Sequence, residues 1–163
     1  MIVQGLENRF VVSVSAGYCH TCAAVNDGTA YCWGYVFTEP PSGRSSGSSR
    51  PVPIDGFASA ASISTSWYHR CVVTQEGAVQ CAGDNQSGQL GNASTAPTWD
   101  VVTVQGISKA IAVSVGETHT CAMVENNTVL CWGENDFGQL GSGTFENSPV
   151  PTVVSRFDAA QFD

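Results

Sequence analysis

The feature that most constrains this chain is a threefold internal repeat. A His-x-Cys triplet recurs at intervals of about 50 residues, beginning at His20, His69 and His119. After each triplet come a short polar stretch, a second cysteine and a glycine, ending at Gly34, Gly83 and Gly133 in the three copies. A period of about 50 residues, with turn residues between short apolar segments, predicts either propeller blades or a β-solenoid.

Each repeat contains a readable β-hairpin. Three-residue loops stand between the paired cysteines: Asn26-Asp27-Gly28, Gln75-Glu76-Gly77 and Glu125-Asn126-Asn127. A type I turn closed by a residue in the left-handed region suits such a loop, and Gly and Asn both tolerate that conformation. We therefore predict three hairpins of the same geometry.

Composition supports an all-β protein. The chain has 163 residues, 42% of them apolar, only 12% charged, with 17 glycines. That length suits one domain, and low charge with many turn-forming residues is typical of short strands. The net charge of −8 argues against binding to a nucleic acid backbone, which needs clustered Lys and Arg. No apolar run approaches the roughly 18 to 20 residues that span a bilayer.

The third copy carries the most complete motif. Gly-x-x-His-Thr-Cys-Ala begins at Gly116, Cys-Trp-Gly-x-Asn-x-x-Gly-Gln-Leu-Gly ends at Gly141, and Pro149 and Pro151 follow. This pattern resembles the regulator-of-chromosome-condensation repeat. The resemblance implies a seven-bladed β-propeller in which each blade is a four-stranded antiparallel sheet. The first copy lacks Gly-Gln-Leu-Gly, and its residues 40–50, rich in Pro, Gly and Ser, are predicted to be a loop.

The length does not suffice for seven blades, which need about 350 residues. We predict an all-β, partial propeller of about three four-stranded blades, forming an open arc rather than a closed ring. The expected divisions of this single repeat domain are a half-unit 1–27, units 28–76 and 77–126, and a partial unit 127–163. An open arc leaves one exposed flank at each end of the row of blades. We therefore expect a fragment of a longer propeller or, alternatively, a chain that covers its flanks with neighbouring blades or by self-association.

Six of the seven cysteines form three pairs, each opposed across a hairpin: Cys22 with Cys32, Cys71 with Cys81, and Cys121 with Cys131. Opposed strand residues lie within disulfide reach, which favours one disulfide per blade and an extracytosolic location, although no signal peptide is visible in this chain. The alternative is buried free thiols in the core. Cys19 is left over, and its Cys-x-x-Cys spacing with Cys22 puts the two on opposite strand faces, so we expect a spare surface thiol.

The remaining repeated residues are predicted to be structural. His20, His69 and His119 each share a strand face with a cysteine, which offers zinc ligands, but a dedicated metal site rarely needs three copies. The resemblance instead implies hydrogen bonds between blades, which we expect to reach backbone groups. Large buried aromatic side chains anchor cores, so Trp33 and Trp132 are expected between blades. The remaining repeat anchors are Gly34, Gly83, Gly133, Leu90 and Leu140.

No catalytic or cofactor-binding pattern emerges. The carboxylates are scattered, no Ser-His-Asp grouping can be assembled, and no phosphate-binding glycine loop is present. We expect a non-enzymatic protein-interaction module that uses loops such as Thr38–Arg50 and Ser142–Ser148, with a basic or neutral protein as partner. The resemblance also implies two alternatives: a guanine-nucleotide exchange factor for a small GTPase, and a secreted binding or inhibitor propeller.

Overall fold

The computed structural model describes residues 3–37 and 45–155. These residues form three four-stranded antiparallel sheets, in which neighbouring strands follow chain order. The first sheet holds β1 (Val11–Ala16), β2 (His20–Val25), β3 (Ala30–Phe37) and β4 (Ser45–Pro53). The second holds β5 (Ala60–Thr65), β6 (His69–Thr74), β7 (Val79–Gly83) and β8 (Thr98–Thr103). The third holds β9 (Ala110–Val115), β10 (His119–Val124), β11 (Val129–Gly133) and β12 (Ser148–Val153).

The central hairpins have the predicted geometry. Residues 26–28, 75–77 and 125–127 form the loops, and the third residue of each has a positive φ: +87° at Gly28, +79° at Gly77 and +62° at Asn127. The amide of that third residue donates to the carbonyl three positions earlier, at 2.9 Å in each loop. The prediction of three equivalent hairpins is confirmed.

The sheets stack side by side through their first strands. β1 packs against β5, and β5 against β9. Serine hydroxyls link these strands: Ser15 Oγ accepts the amide N–H of Thr65, and Ser64 Oγ accepts that of Val115, each at 3.1 Å. Apolar clusters fill the spaces between the first and second and between the second and third sheets. Each sheet is therefore one blade of a propeller, and the three blades do not close into a ring.

Two glycine-rich elements shape the blades. Gly34, Gly83 and Gly133 adopt φ values of +93°, +128° and +109°. A Cβ on any of them would collide with the carbonyl oxygen of the residue that precedes the second strand of the same blade. In the Gly-Gln-Leu-Gly loops, the amide N–H of the buried leucine donates to an asparagine side chain. Leu90 donates to Asn85 Oδ1 and Leu140 donates to Asn135 Oδ1, each at 2.9 Å. These contacts fold the loop back onto its own blade.

One sequence prediction is wrong in part. Residues 45–50, expected to lie in a loop, belong to β4, whose pairing with β3 runs from Phe37 opposite Ser45 to Tyr31 opposite Pro53. An outermost strand needs hydrogen bonds on one side only, so Ser, Gly and Pro residues are tolerated there. Residues 38–44 of the predicted binding loop Thr38–Arg50 lie outside the described residues.

Candidate binding surface

One end of the blades carries the longest connections, including residues 84–97 and 134–147 between the third and fourth strands of the second and third blades. In each antiparallel sheet, the link from first to second strand and the link from third to fourth strand lie at the same end. We call this the loop end, and the opposite end, with the three tight hairpins, the hairpin end. Because the strands form a rigid support, side chains on the loop-end connections are held at fixed positions.

A stack of aromatic rings lies at the loop end, where the first two blades meet. The rings of Tyr18 and Trp67 are 3.9 Å apart with an interplanar angle of 6°, and Trp67 stacks in turn on Tyr68, with 5.2 Å between centroids. Tyr18 and Trp67 hold equivalent places in their repeats, just before the histidine, so stacking of the blades brings them together. Tyr18 is 71% exposed, which leaves this stack open to a ligand.

Further exposed aromatic side chains stand at the same end. Phe137 and Phe145, on the connection between β11 and β12, are 86% and 72% exposed, and Tyr35 near the end of β3 is also exposed. Large apolar groups in such numbers on one face typically mark an interaction site. The predicted loop Ser142–Ser148 contributes Phe145 to this surface.

The loop end is also acidic. Asp84 and Glu134 follow the third strands of their blades, and Glu117 takes the place held by Tyr18 and Trp67 in the other blades. Asp136 and Glu146 lie on the last loop and are exposed, as is Glu117. Arg70 is buried beside Trp67 and Trp99, and burial lowers the pKa of its guanidinium to about 10, which keeps it charged at neutral pH.

The histidines link blades through side-chain hydroxyls, not through backbone groups as the sequence suggested. His20 Nε2 lies 2.6 Å from Thr65 Oγ1, and His69 Nε2 lies 2.8 Å from Thr120 Oγ1. Each threonine lies on a strand of the next blade, and the sequence alone did not predict that these side chains would meet. His119 holds the equivalent place on the third blade.

A chain of hydrogen bonds defines the His69 site. Thr120 Oγ1 donates to the carbonyl oxygen of Gln89 at 2.9 Å, and Trp132 Nε1 donates to the same oxygen at 2.8 Å. Since the Thr120 proton is used in this way, His69 Nε2 must carry a proton and donate to Thr120. Burial, and to a smaller extent the charge of His119, lowers the pKa of His69 to about 3, so the ring is neutral.

The other two histidines are also shifted towards neutrality. Burial lowers the pKa of His20, and the positive charge of Arg70 lowers it further. Burial lowers the pKa of His119, against the opposing effect of Glu134. The lowered pKa values therefore favour the neutral form of all three rings at neutral pH.

The two repeated tryptophans differ in their surroundings. Trp132 is fully buried between the second and third blades, as expected of an anchor. Trp33 is only partly buried, because the face of the first blade on which it lies has no neighbouring blade within the described residues. Within the described residues, Trp132 is thus buried in a contact between blades and Trp33 is not.

The cysteine pairs are disulfides, as predicted. Cys22–Cys32, Cys71–Cys81 and Cys121–Cys131 bridge opposed residues of the second and third strands, with Cα atoms 4.0 to 4.1 Å apart. Cys19 is an exposed free thiol. Within residues 3–37 and 45–155, no group of three or more His, Cys, Asp or Glu side chains could hold a metal ion. No helix that could cross a membrane occurs in that same part of the chain.

Comparison with known proteins identifies the repeat. The family model described as the regulator of chromosome condensation (RCC1) repeat matches residues 11–35, 60–89 and 110–139, and a second model of that description matches 76–123 and 126–161. The chain belongs to the RCC1 repeat family. Each of the three segments that the first model matches begins at the first strand of a blade.

Relatives of known function or structure are longer than this chain. Ultraviolet-B receptor UVR8 of Arabidopsis thaliana is 32% identical over 92 residues, which cover 55% of this chain and 21% of UVR8. Human WBSCR16 has the same fold with a TM-score of 0.77 at 19% identity, over 91% of this chain and 41% of that one. Prp20p of Saccharomyces cerevisiae, described with its binding to Gsp1p and histones, gives 0.74 at 22% identity, over 91% and 37%. The chain thus spans about a fifth to two fifths of these RCC1 relatives.

Sequence reasoning placed Phe145 in a predicted binding loop, Ser142–Ser148, but assigned Tyr18, Trp67 and Phe137 to no binding site. They lie far apart in the sequence, from Tyr18 to Phe145, and the stacking of blades together with the last loop brings them to one end. One signal was available: Tyr18, Trp67 and Glu117 occupy a position that differs in all three copies, two residues before the histidine that all three copies share. A variable position within a fixed scaffold favours a role in recognition.

Proposed function

We propose that the chain is a non-enzymatic protein-interaction module that binds a basic protein through the loop end. The observation that carries the proposal is the combination of exposed aromatic side chains and carboxylates on that face. Aromatic residues are enriched among those that dominate binding energy at protein interfaces. An acidic face steers positively charged partners and selects against acidic ones.

The absence of an enzymatic role belongs to this proposal. Its support is that the buried side chains of His20 and His69 are engaged in hydrogen bonds between blades. A general base must be able to reach a substrate proton, which such a side chain does not do. A role in protein recognition also has support from the relatives of this chain, which include a receptor and a protein described with its binding to Gsp1p and histones.

Purified core histones are suitable basic probes, and binding can be measured by fluorescence anisotropy. Replacing Tyr18 or Phe137 by Ser should weaken binding about fivefold or more, because losing an aromatic anchor costs about 1 kcal/mol or more. The matched control is Phe10→Ser, which removes an aromatic side chain that is 70% exposed near the hairpin end. Equal loss in all three variants would contradict the assignment of the loop end.

Salt dependence and nucleotide release separate this proposal from its rivals. Added salt should weaken histone binding, since exposed charges are screened within about 8 to 10 Å at physiological ionic strength. An exchange factor would instead accelerate release of labelled nucleotide from a small GTPase, and we expect no acceleration here. Release accelerated by the wild-type chain would overturn the non-enzymatic assignment.

A further inference from the structure

The two outer faces of the blade stack complement each other. We propose that the third blade of one chain docks onto the first blade of a second copy, repeating the contact between the second and third blades. This inference concerns self-association and does not depend on the proposed function. It rests on a network of four residues that recurs across the outer faces.

The existing contact sets the pattern. His69 of the second blade donates to Thr120 of the third, and the backbone carbonyl of Gln89, on the second blade's loop, accepts from both Thr120 and Trp132. A histidine and a loop glutamine from one blade thus meet a threonine and a tryptophan from the next. All four residues are at most 2% exposed.

Residues of the same four types stand on the outer faces, where the described part of the chain places no neighbouring blade. His119 and Gln139 of the third blade correspond to His69 and Gln89, while Thr21 and Trp33 of the first blade correspond to Thr120 and Trp132. These outer-face residues are all partly exposed.

The contact between the first and second blades is different, and its difference is informative. The first blade lacks the Gly-Gln-Leu-Gly loop, and the second blade correspondingly has Arg70 and Ala82 where Thr and Trp would receive it. His20 uses Thr65 instead. Loop and receptor are therefore present together or absent together, and Thr21 with Trp33 on the first blade form a receptor for a blade that carries the loop. The third blade of a second copy is such a blade.

Backbone and apolar groups match in the same register. Ser114 is exposed at the place where Ser64 accepts the amide of Val115, and Ala16 of the first blade offers the equivalent amide. Val14 is 65% exposed, whereas its counterpart Ile63, covered by the first blade, is 4% exposed.

The third blade likewise exposes apolar side chains whose counterparts on the second blade are buried. Met123 and Val129 are 36% and 37% exposed, while their covered counterparts Val73 and Val79 are 3% and 0% exposed. Two copies would carry twice the three blades of one chain, within the range of about four to eight blades of closed propellers. The proposed assembly is therefore a ring of two chains, in which the third blade of each chain contacts the first blade of the other.

Sedimentation velocity and light scattering of the purified chain test this proposal. The wild type should have the mass of two chains. The double substitution Thr21→Arg with Trp33→Ala gives the first blade the residues that the second blade carries naturally, so the blade should fold while the receptor is lost. Val129→Glu places a charge on the opposite face. Each of these proteins should have the mass of one chain.

Mixing removes ambiguity about folding. The double variant keeps an intact third-blade face and the Val129→Glu protein keeps an intact first-blade face, so an equimolar mixture should return to the mass of two chains. The control Val153→Glu, at a 57% exposed position on the outermost strand, should behave as the wild type. A wild type of one-chain mass at every concentration, two-chain mass in either face variant alone, or a mixture that stays monomeric would each overturn the proposal.

Discussion

Replacing His69 by Gln should remove the contribution of this histidine to the acid sensitivity of the fold. The His69 ring is 2% exposed and donates from Nε2 to Thr120, with Ser66 Oγ 3.4 Å from its Nδ1. A glutamine amide can still donate to Thr120 but does not titrate. The two proteins should therefore differ in how their stability depends on pH, whatever the difference at neutral pH.

The magnitude follows from the pKa of the histidine in each state. Burial lowers the pKa of His69 to about 3 in the folded chain, against about 6.5 in an unfolded one. Its stabilising contribution is thus complete above pH 6.5 and is lost as the pH falls towards 3, because protons bind the unfolded state first. Between neutral pH and pH 5 the loss is about 2 kcal/mol, at about 1.4 kcal/mol per pKa unit. His20 and His119, whose pKa values are also lowered, change stability in the same direction.

Urea unfolding at pH 7.5 and pH 5.0, followed by tryptophan fluorescence, measures this effect. The free energy of unfolding should fall by about 2 kcal/mol more in the wild type than in His69→Gln over that interval. Comparing the two proteins cancels the contributions of the titratable groups that both proteins share. Equal pH dependence in both proteins would refute the assignment of His69 as a buried, neutral inter-blade donor.

Three further outcomes are expected. Trp132→Ala should lower the free energy of unfolding by about 3–5 kcal/mol, measured by urea titration, whereas Trp33→Ala in a monomeric background should cost much less. Thiol titration of the denatured, non-reduced chain should find one free cysteine, Cys19; seven would contradict the disulfides. Cys121→Ser should lower stability by about 2–3 kcal/mol, and reductant should abolish the difference between variant and wild type; an equal difference with and without reductant would indicate core thiols.

Local chemistry made much of the fold predictable. The turn loops ending at Gly28, Gly77 and Asn127 fix the hairpins, because few residues accept a positive φ. Once the hairpin register is known, Cys22 must face Cys32, and the same holds in the other blades. These inferences needed only neighbours in the sequence.

Contacts between blades were harder to predict from the sequence. The threonine partners of His20 and His69 lie about 50 residues away along the chain, and two different repeat positions supply them. The exposure of Trp33 depends on whether a blade precedes it, which its repeat position does not reveal. The aromatic stack of Tyr18, Trp67 and Tyr68 likewise exists only because two blades meet. Sequence reasoning therefore described each blade better than the surface that the blades form together.

Hydrogen–deuterium exchange of the chain with and without bound core histones tests the loop-end assignment most directly. The account predicts slower exchange in peptides covering residues 17–19, 66–68 and 134–147 when the histones are bound. Peptides covering the hairpin turns at 26–28, 75–77 and 125–127 should exchange at unchanged rates. Protection confined to the hairpin turns, or spread evenly over both ends, would contradict the assignment of the loop end as the protein-binding face.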